Sequence, residues 1–60
     1  MDAQKIAEYA RSLYDAHGDA AEAEAAQKMN AAEAAGNEAE AEDWRLIREA
    51  IRAIRGANQG

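Results

Sequence analysis

The chain lacks cysteine, proline, valine, phenylalanine and threonine, and holds one tryptophan and one serine in 60 residues. With no cysteine there can be no disulfide, thiolate metal site or thiol nucleophile, and a reducing, cytoplasmic location fits. No apolar run approaches the roughly 18–20 residues that cross a bilayer, so no membrane is implied. From Met1 to Ala10 there is no basic segment followed by an apolar one, so no secretory signal is expected and Met1 is read as the true start. Cations are outnumbered: seven Lys and Arg face twelve Asp and Glu, for a net charge of −5. That balance argues against a general affinity for nucleic acid or anionic membranes.

Alanine fills 18 positions. Alanine, glutamate, arginine and leucine favour helices, and the strong strand formers are nearly absent, so the fold class expected is all-α. The same bias fits a GC-rich bacterial genome. Sixty residues make one domain, 1–60, whose core is marginal unless something supports it.

Two near-copies of one phrase, AHGDAAEAEAA at 16–26 and AAGNEAEAEDW at 34–44, lie 18 positions apart. Each holds a glycine, a good cap residue, and a glutamate three positions after the cap: Gly18, Asp19 and Glu22, then Gly36, Asn37 and Glu40. Glycine ends a helix at low steric cost, and a capping box starts the next. The duplication therefore reads as two junctions between helices, at about 2–17, 20–35 and 38–55, with 56–60 a frayed tail. Such short connections favour antiparallel neighbours, giving an up-down-up three-helix bundle with Gly-Asp and Gly-Asn turns.

The first helix carries Ile6, Ala10, Leu13 and His17 on one stripe, and the third carries Trp44, Ile47, Ile51 and Ile54. Both have helical period. The second helix, nearly all Ala and Glu, offers Ala21, Ala25, Met29 and Ala32. The expected core is Ile6, Leu13, Met29, Trp44, Ile47, Ile51 and Ile54. In it the first helix packs mainly on the third, Trp44 contributes most, and the second helix forms a thin wall. Tyr9 and Tyr14 point about 140° apart, so at least one lies off the main stripe.

Few residues suggest chemistry. Arg45, Arg48, Arg52 and Arg55 fall within a roughly 80° sector of the third helix. They could hold phosphate or an acidic partner, or they could balance the acids of the neighbouring helix, Glu22 and Glu24, and Asp15 at the end of the first. Asp15, His17 and Asp19 bracket the first turn and invite a metal, but no second His or Cys exists. A lone imidazole in the last helical turn more often interacts with free carbonyls or the helix dipole. Ser12 has no base and orienter. There is no Glu-x-x-His and no phosphate-binding glycine loop. No catalytic residue, cofactor, metal or small-molecule substrate is expected, and the chain is read as not an enzyme.

The stretch from Tyr14 to Ala23, YDAHGDAAEA, resembles the middle of a tetratricopeptide helical hairpin through Tyr14, Gly18, Asp19 and Ala23. Gly36, Asn37 and Ala41 echo the turn. The resemblance covers about a third of the chain. The family's Trp and Leu-Gly in the first helix and its closing Pro are missing. It implies hairpin geometry and hints at protein or peptide binding.

Eleven large apolar residues, counting both Tyr and both Met, are few for a stable monomer of this length. The expected function is therefore a non-catalytic protein–protein interaction or self-assembly module. Its partner is a protein or a second copy, and its candidate surface is Leu46, Arg45, Arg48, Arg52 and Arg55. Two alternatives are a nucleic-acid-associated regulator using the arginine strip and an adaptor that docks on a larger protein.

Overall fold

The computed structural model describes residues 2–57. It is an all-α bundle of three helices: α1 (Ala3–His17), α2 (Ala20–Ala34) and α3 (Glu38–Ala57). Helix α1 starts on Asp2, whose carboxylate accepts a hydrogen bond from the Lys5 amide at 2.8 Å. An extended residue with a short acceptor side chain is suited to satisfying an orphan amide of the first turn.

The two junctions share a sequence pattern and differ in construction. At the second, Gly36 adopts a φ of 77°. The Gly36 amide donates to the Glu33 carbonyl at 3.0 Å and the Asn37 amide to the Ala32 carbonyl at 2.9 Å, which is a Schellman closure of α2. Asn37 then caps α3, its Oδ1 accepting from the Glu40 amide at 3.1 Å. The Asn37 backbone amide is already spent on Ala32. The Glu40 carboxylate therefore accepts from the Asn37 side-chain amide instead, at 2.9 Å.

The first junction corrects the expected capping box. Asp19 has helical dihedrals, φ −63° and ψ −24°, and makes no side-chain cap hydrogen bond. Gly18 makes the reversal alone. Its amide donates to the Tyr14 carbonyl at 2.7 Å, and its carbonyl accepts from the Ala21 amide at 3.1 Å. Its φ of 59° with ψ of −131° suits glycine. With Asp19 already inside the helical spiral, its carboxylate cannot fold back over the N-terminus, and Glu22 turns to α3.

A second correction concerns the tail. Helix α3 runs through Gly56 to Ala57, so the glycine there does not end it. The rest of the expected tail, 58–60, lies outside the described residues.

The buried residues are Ile6 and Ala10 of α1, Ala21, Ala25 and Ala32 of α2, and Ala41, Ile47 and Ile51 of α3. Leu13, Tyr14, Trp44, Leu46, Ala50 and Ile54 are partly buried against the main cluster. Trp44 is not the centre of the core: the largest fully buried side chains are Ile47 and Ile51. Its indole instead meets the exposed Tyr9 ring edge-on, centroids 5.6 Å apart at 82°, a favoured aromatic geometry that links α1 to α3. Met29 is half-buried and outside the main cluster, and His17 is exposed. The most extensive helix pairing is α2 with α3, not α1 with α3 as expected. Ala21, Ala25 and Ala32 explain this, because methyl side chains let the α2 backbone come close.

Candidate interaction surface

The four arginines of α3 leave the helix on its α2 side and its outer flank, where they divide into two groups. Arg48, Arg52 and Arg55 gather round one carboxylate, Glu22, in the first turn of α2. Their nearest nitrogens lie 4.0, 3.6 and 3.0 Å from it. Only Arg55 donates a hydrogen bond, Nη1 to Glu22 Oε1. It also lies 3.8 Å from Asp19. Arg48 Nε is buried and has no hydrogen-bond partner. Glu22 is well placed to collect these cations. It sits near the positive end of α2, and the C-terminal turns of α3, where cations are favoured, pass beside it.

Arg45 stands apart. Its guanidinium is held between Glu42 and Glu49, one turn before and one turn after it on its own helix. The hydrogen bond from Arg45 holds the Glu42 carboxyl below the usual glutamate range. The same bond, with the charges of Glu42 and Glu49, raises Arg45 above its ordinary value.

Leu46 does not join the arginines. It is half-buried and packed against the core. A residue next to Arg45 in sequence lies about 100° round the helix from it. The expected surface is therefore two features: an arginine flank facing α2 and solvent, and a leucine on the core's edge.

The acids of the first turn also separate. Asp15 pairs with Arg11 at 3.6 Å, and His17 Nδ1 lies 3.3 Å from Glu24 Oε2. Asp19 goes to Arg55, so these three side chains do not converge. Among the described residues no group of three or more His, Asp or Glu is placed to hold a metal ion. Among the same residues no helix is long and apolar enough to cross a membrane.

Between α2 and α3 runs an open cleft of about 470 Å³, lined by Met29, Glu33, Gly36, Glu38, Ala41 and their neighbours Glu42 and Arg45. Towards the other end of the same pair of helices, Glu22, Arg52, Arg55 and Gly56 line a second hollow of about 290 Å³. The two hollows differ in charge. Three glutamates line the first, and the arginine group borders the second. Sequence reasoning placed Met29 in the core and so missed the first hollow. The signal was its isolation, as the one large apolar side chain on α2.

Compared with protein-family models, with curated proteins and with solved structures, the chain matches none. The resemblance of Tyr14–Ala23 to a tetratricopeptide hairpin thus remains local.

Proposed function

We propose that this chain is a non-catalytic helical module that works by protein–protein contact, in the first place with a second copy of itself. The observation that carries the reading is the make-up of the core. Among the described residues, five of the eight buried hydrophobic ones are alanine. Burying an isoleucine contributes about 1.5–3 kcal/mol, and an alanine methyl about a third of that. Three buried isoleucines, with Leu13, Tyr14, Trp44, Leu46 and Ile54 only partly buried round them, leave a 60-residue chain with little surplus over the entropy of ordering it. Association would bury what the chain keeps half exposed, notably Met29.

The nucleic-acid reading loses support from the same geometry. Three of the four arginines already share Glu22, and the fourth lies between Glu42 and Glu49.

Sedimentation equilibrium over a wide concentration range, with circular dichroism on the same samples, tests the proposal. A helical dimer or larger species supports it. A folded monomer at every concentration removes self-association and leaves only a transient contact with another protein.

A further inference from the structure

The charge around Arg48, Arg52 and Arg55 does not balance. The other two arginines are matched: Arg11 has Asp15 to itself, and Arg45 lies between Glu42 and Glu49. The three of the group face two carboxylates, Glu22 and the largely exposed Asp19, so one positive charge is left over. Bonding is sparser still. Within the described residues Arg48 and Arg52 reach Glu22 only as loose ion pairs, and Arg48 Nε is buried without a hydrogen-bond partner. A cation partly withdrawn from water and left unbonded is one for which an added partner counts most. Arg52 is 64% exposed, its one ion pair spanning 3.6 Å. Two open hollows flank the Arg55–Glu22 bond. Arg52 and Gly56 complete one, of about 290 Å³, and Arg48, Ala23 and Ala26 border the other, of about 260 Å³. A Cβ built at Gly56 meets nothing within 4 Å, so the first hollow stays open on that side. Glu49, three residues before Arg52, is held by Arg45 instead.

We propose that Arg48, Arg52 and Arg55 form a docking site for an acidic segment of another protein, one of whose Asp or Glu carboxylates sits on Arg52 in the hollow beside Arg55. This rests on the protein-contact reading above and adds a partner of stated chemistry to the second copy. A guanidinium fork matches a carboxylate with paired hydrogen bonds, and Arg52 has its donors to offer. The surplus selects the ligand. One positive charge is matched by one carboxylate, whereas a phosphoryl group, at about −1.5 to −2 near neutral pH, overshoots it beside Glu22. A nucleic acid would need a run of cations, and the next arginine along this flank, Arg45, lies between two glutamates. Ala23 and Ala26 give an extended chain methyl groups to lie on beside Arg48, which a free ion would not use. The positive end of α2 and the negative end of α3 lie side by side here and offset one another, so the arginines set the sign. The chain's distant acids repel such a partner weakly, since at physiological salt the Debye length is about 8 Å. Glu22 shares the same cations with the ligand and so holds the affinity down.

The probe is a blocked peptide, Ala-Ala-Glu-Glu-Ala-Ala, titrated into the full chain at about 0.1 M salt, where the Debye length is about 10 Å. Side-chain NMR signals of the arginines report binding, and the same peptide with Gln for Glu is its neutral counterpart. The acidic peptide should move the Arg52 and Arg55 signals and bind more weakly towards 1 M salt, and the neutral one should do neither. Arg52→Gln should weaken binding at least about fivefold, and Arg11→Gln, which removes an equal charge from exposed α1, less than about twofold. Glu22→Gln should tighten binding at least about threefold, because the cations lose their internal partner. Added peptide should also raise the denaturation midpoint of Glu22→Gln more than that of the natural chain. Absence of binding overturns the site. Equal weakening by Arg52→Gln and Arg11→Gln overturns it too, since attraction to net charge alone would act so. Unchanged or weaker binding by a folded Glu22→Gln overturns the sharing of the cations. If circular dichroism shows Glu22→Gln to have lost helix, Arg48→Gln takes its place. It should weaken binding at least about threefold, and an unchanged affinity overturns the group as a unit. A phosphoserine peptide that binds more tightly overturns the carboxylate, and a short oligothymidylate that does so overturns the protein partner. Sedimentation without peptide tests self-association separately: peptide binding can fail while the chain dimerises, and can hold while it stays monomeric.

Discussion

At the scale of single residues, Arg45 and Gly18 show two ways in which one residue fixes a local structure. Arg45 donates to Glu42 through Nε at 3.2 Å and through a second nitrogen, and reaches Glu49 on its other side. The carboxyl of Glu42 therefore ionises below the usual range. A carboxylate whose folded pKa is depressed stabilises the fold above its unfolded pKa, and loses that contribution as pH falls through the lower folded value. All of this happens at the surface, where screening keeps such pairs weak. Followed by carboxyl NMR through an acid titration, Glu42 should have a midpoint below the usual glutamate range. Arg45→Ala should return it to the ordinary range, and an unmoved midpoint would rule out the Arg45 bond as the cause. At Gly18 the constraint is steric and purely backbone: a Cβ there would meet nothing within 4 Å, yet φ is +59°. Gly18→Ala should thus cost about 1–2 kcal/mol in chemical denaturation, through strain alone.

At the scale of elements, the two junctions separate what sequence spelling conveys from what it leaves open. Glycine followed by a cap residue marked both turns, and the apolar period marked α1 and α3, because helix ends and buried faces restrict residue type strongly. How each turn closes was not legible. Asp19 and Asn37 are both good caps, and only the backbone path after the glycine decides which one caps. At Gly36 the Schellman closure leaves Asn37 outside the helix, with its side chain over the first turn of α3. At Gly18 the unusual ψ carries Asp19 into the helix. Asn37→Ala should cost about 1 kcal/mol, and Asp19→Ala less than about 0.5, since that carboxylate is exposed and pairs only with Arg55 at 3.8 Å. Equal losses in urea unfolding would contradict this difference. Gly56 misled in the other direction. Glycine also occurs inside helices, at a cost, and nothing lies within 4 Å of a Cβ built at Gly56. Gly56→Ala should raise stability by about 0.5–1 kcal/mol and keep or extend the helical signal.

At the scale of the whole molecule, α2 was the element least legible in the sequence. Its few large side chains suggested a thin wall, because apolar area is what a sequence displays. Its alanines, which let a neighbouring backbone approach closely, bring it against α3 instead, and which neighbour it approaches is not visible in a list of hydrophobic residues. Glu22 and the α3 arginines were partly legible, since opposite charges one helix apart in an antiparallel pair must meet. Their convergence on a single carboxylate, 21% exposed, was not. That convergence leads to a prediction about the bundle as a unit. Glu22→Gln keeps the shape of the side chain and removes the carboxylate that Arg48, Arg52 and Arg55 share, leaving only the exposed Asp19 beside Arg55. The three cations then repel one another across the α2–α3 contact. The expected loss is about 1–2 kcal/mol at low salt, shrinking towards 1 M salt, where screening acts within about 3 Å. If Glu22 acted only on the positive end of α2, the loss would be the same with Arg55 present or absent. If it acts by holding the cations, Arg55→Gln made on top of Glu22→Gln should cost less than Arg55→Gln alone, because it relieves repulsion. Denaturant melts of the two single variants and the double at two salt concentrations decide between these. Additive losses, unchanged by salt, would show that α2 and α3 are joined by alanine packing and that the arginine group contributes nothing to it.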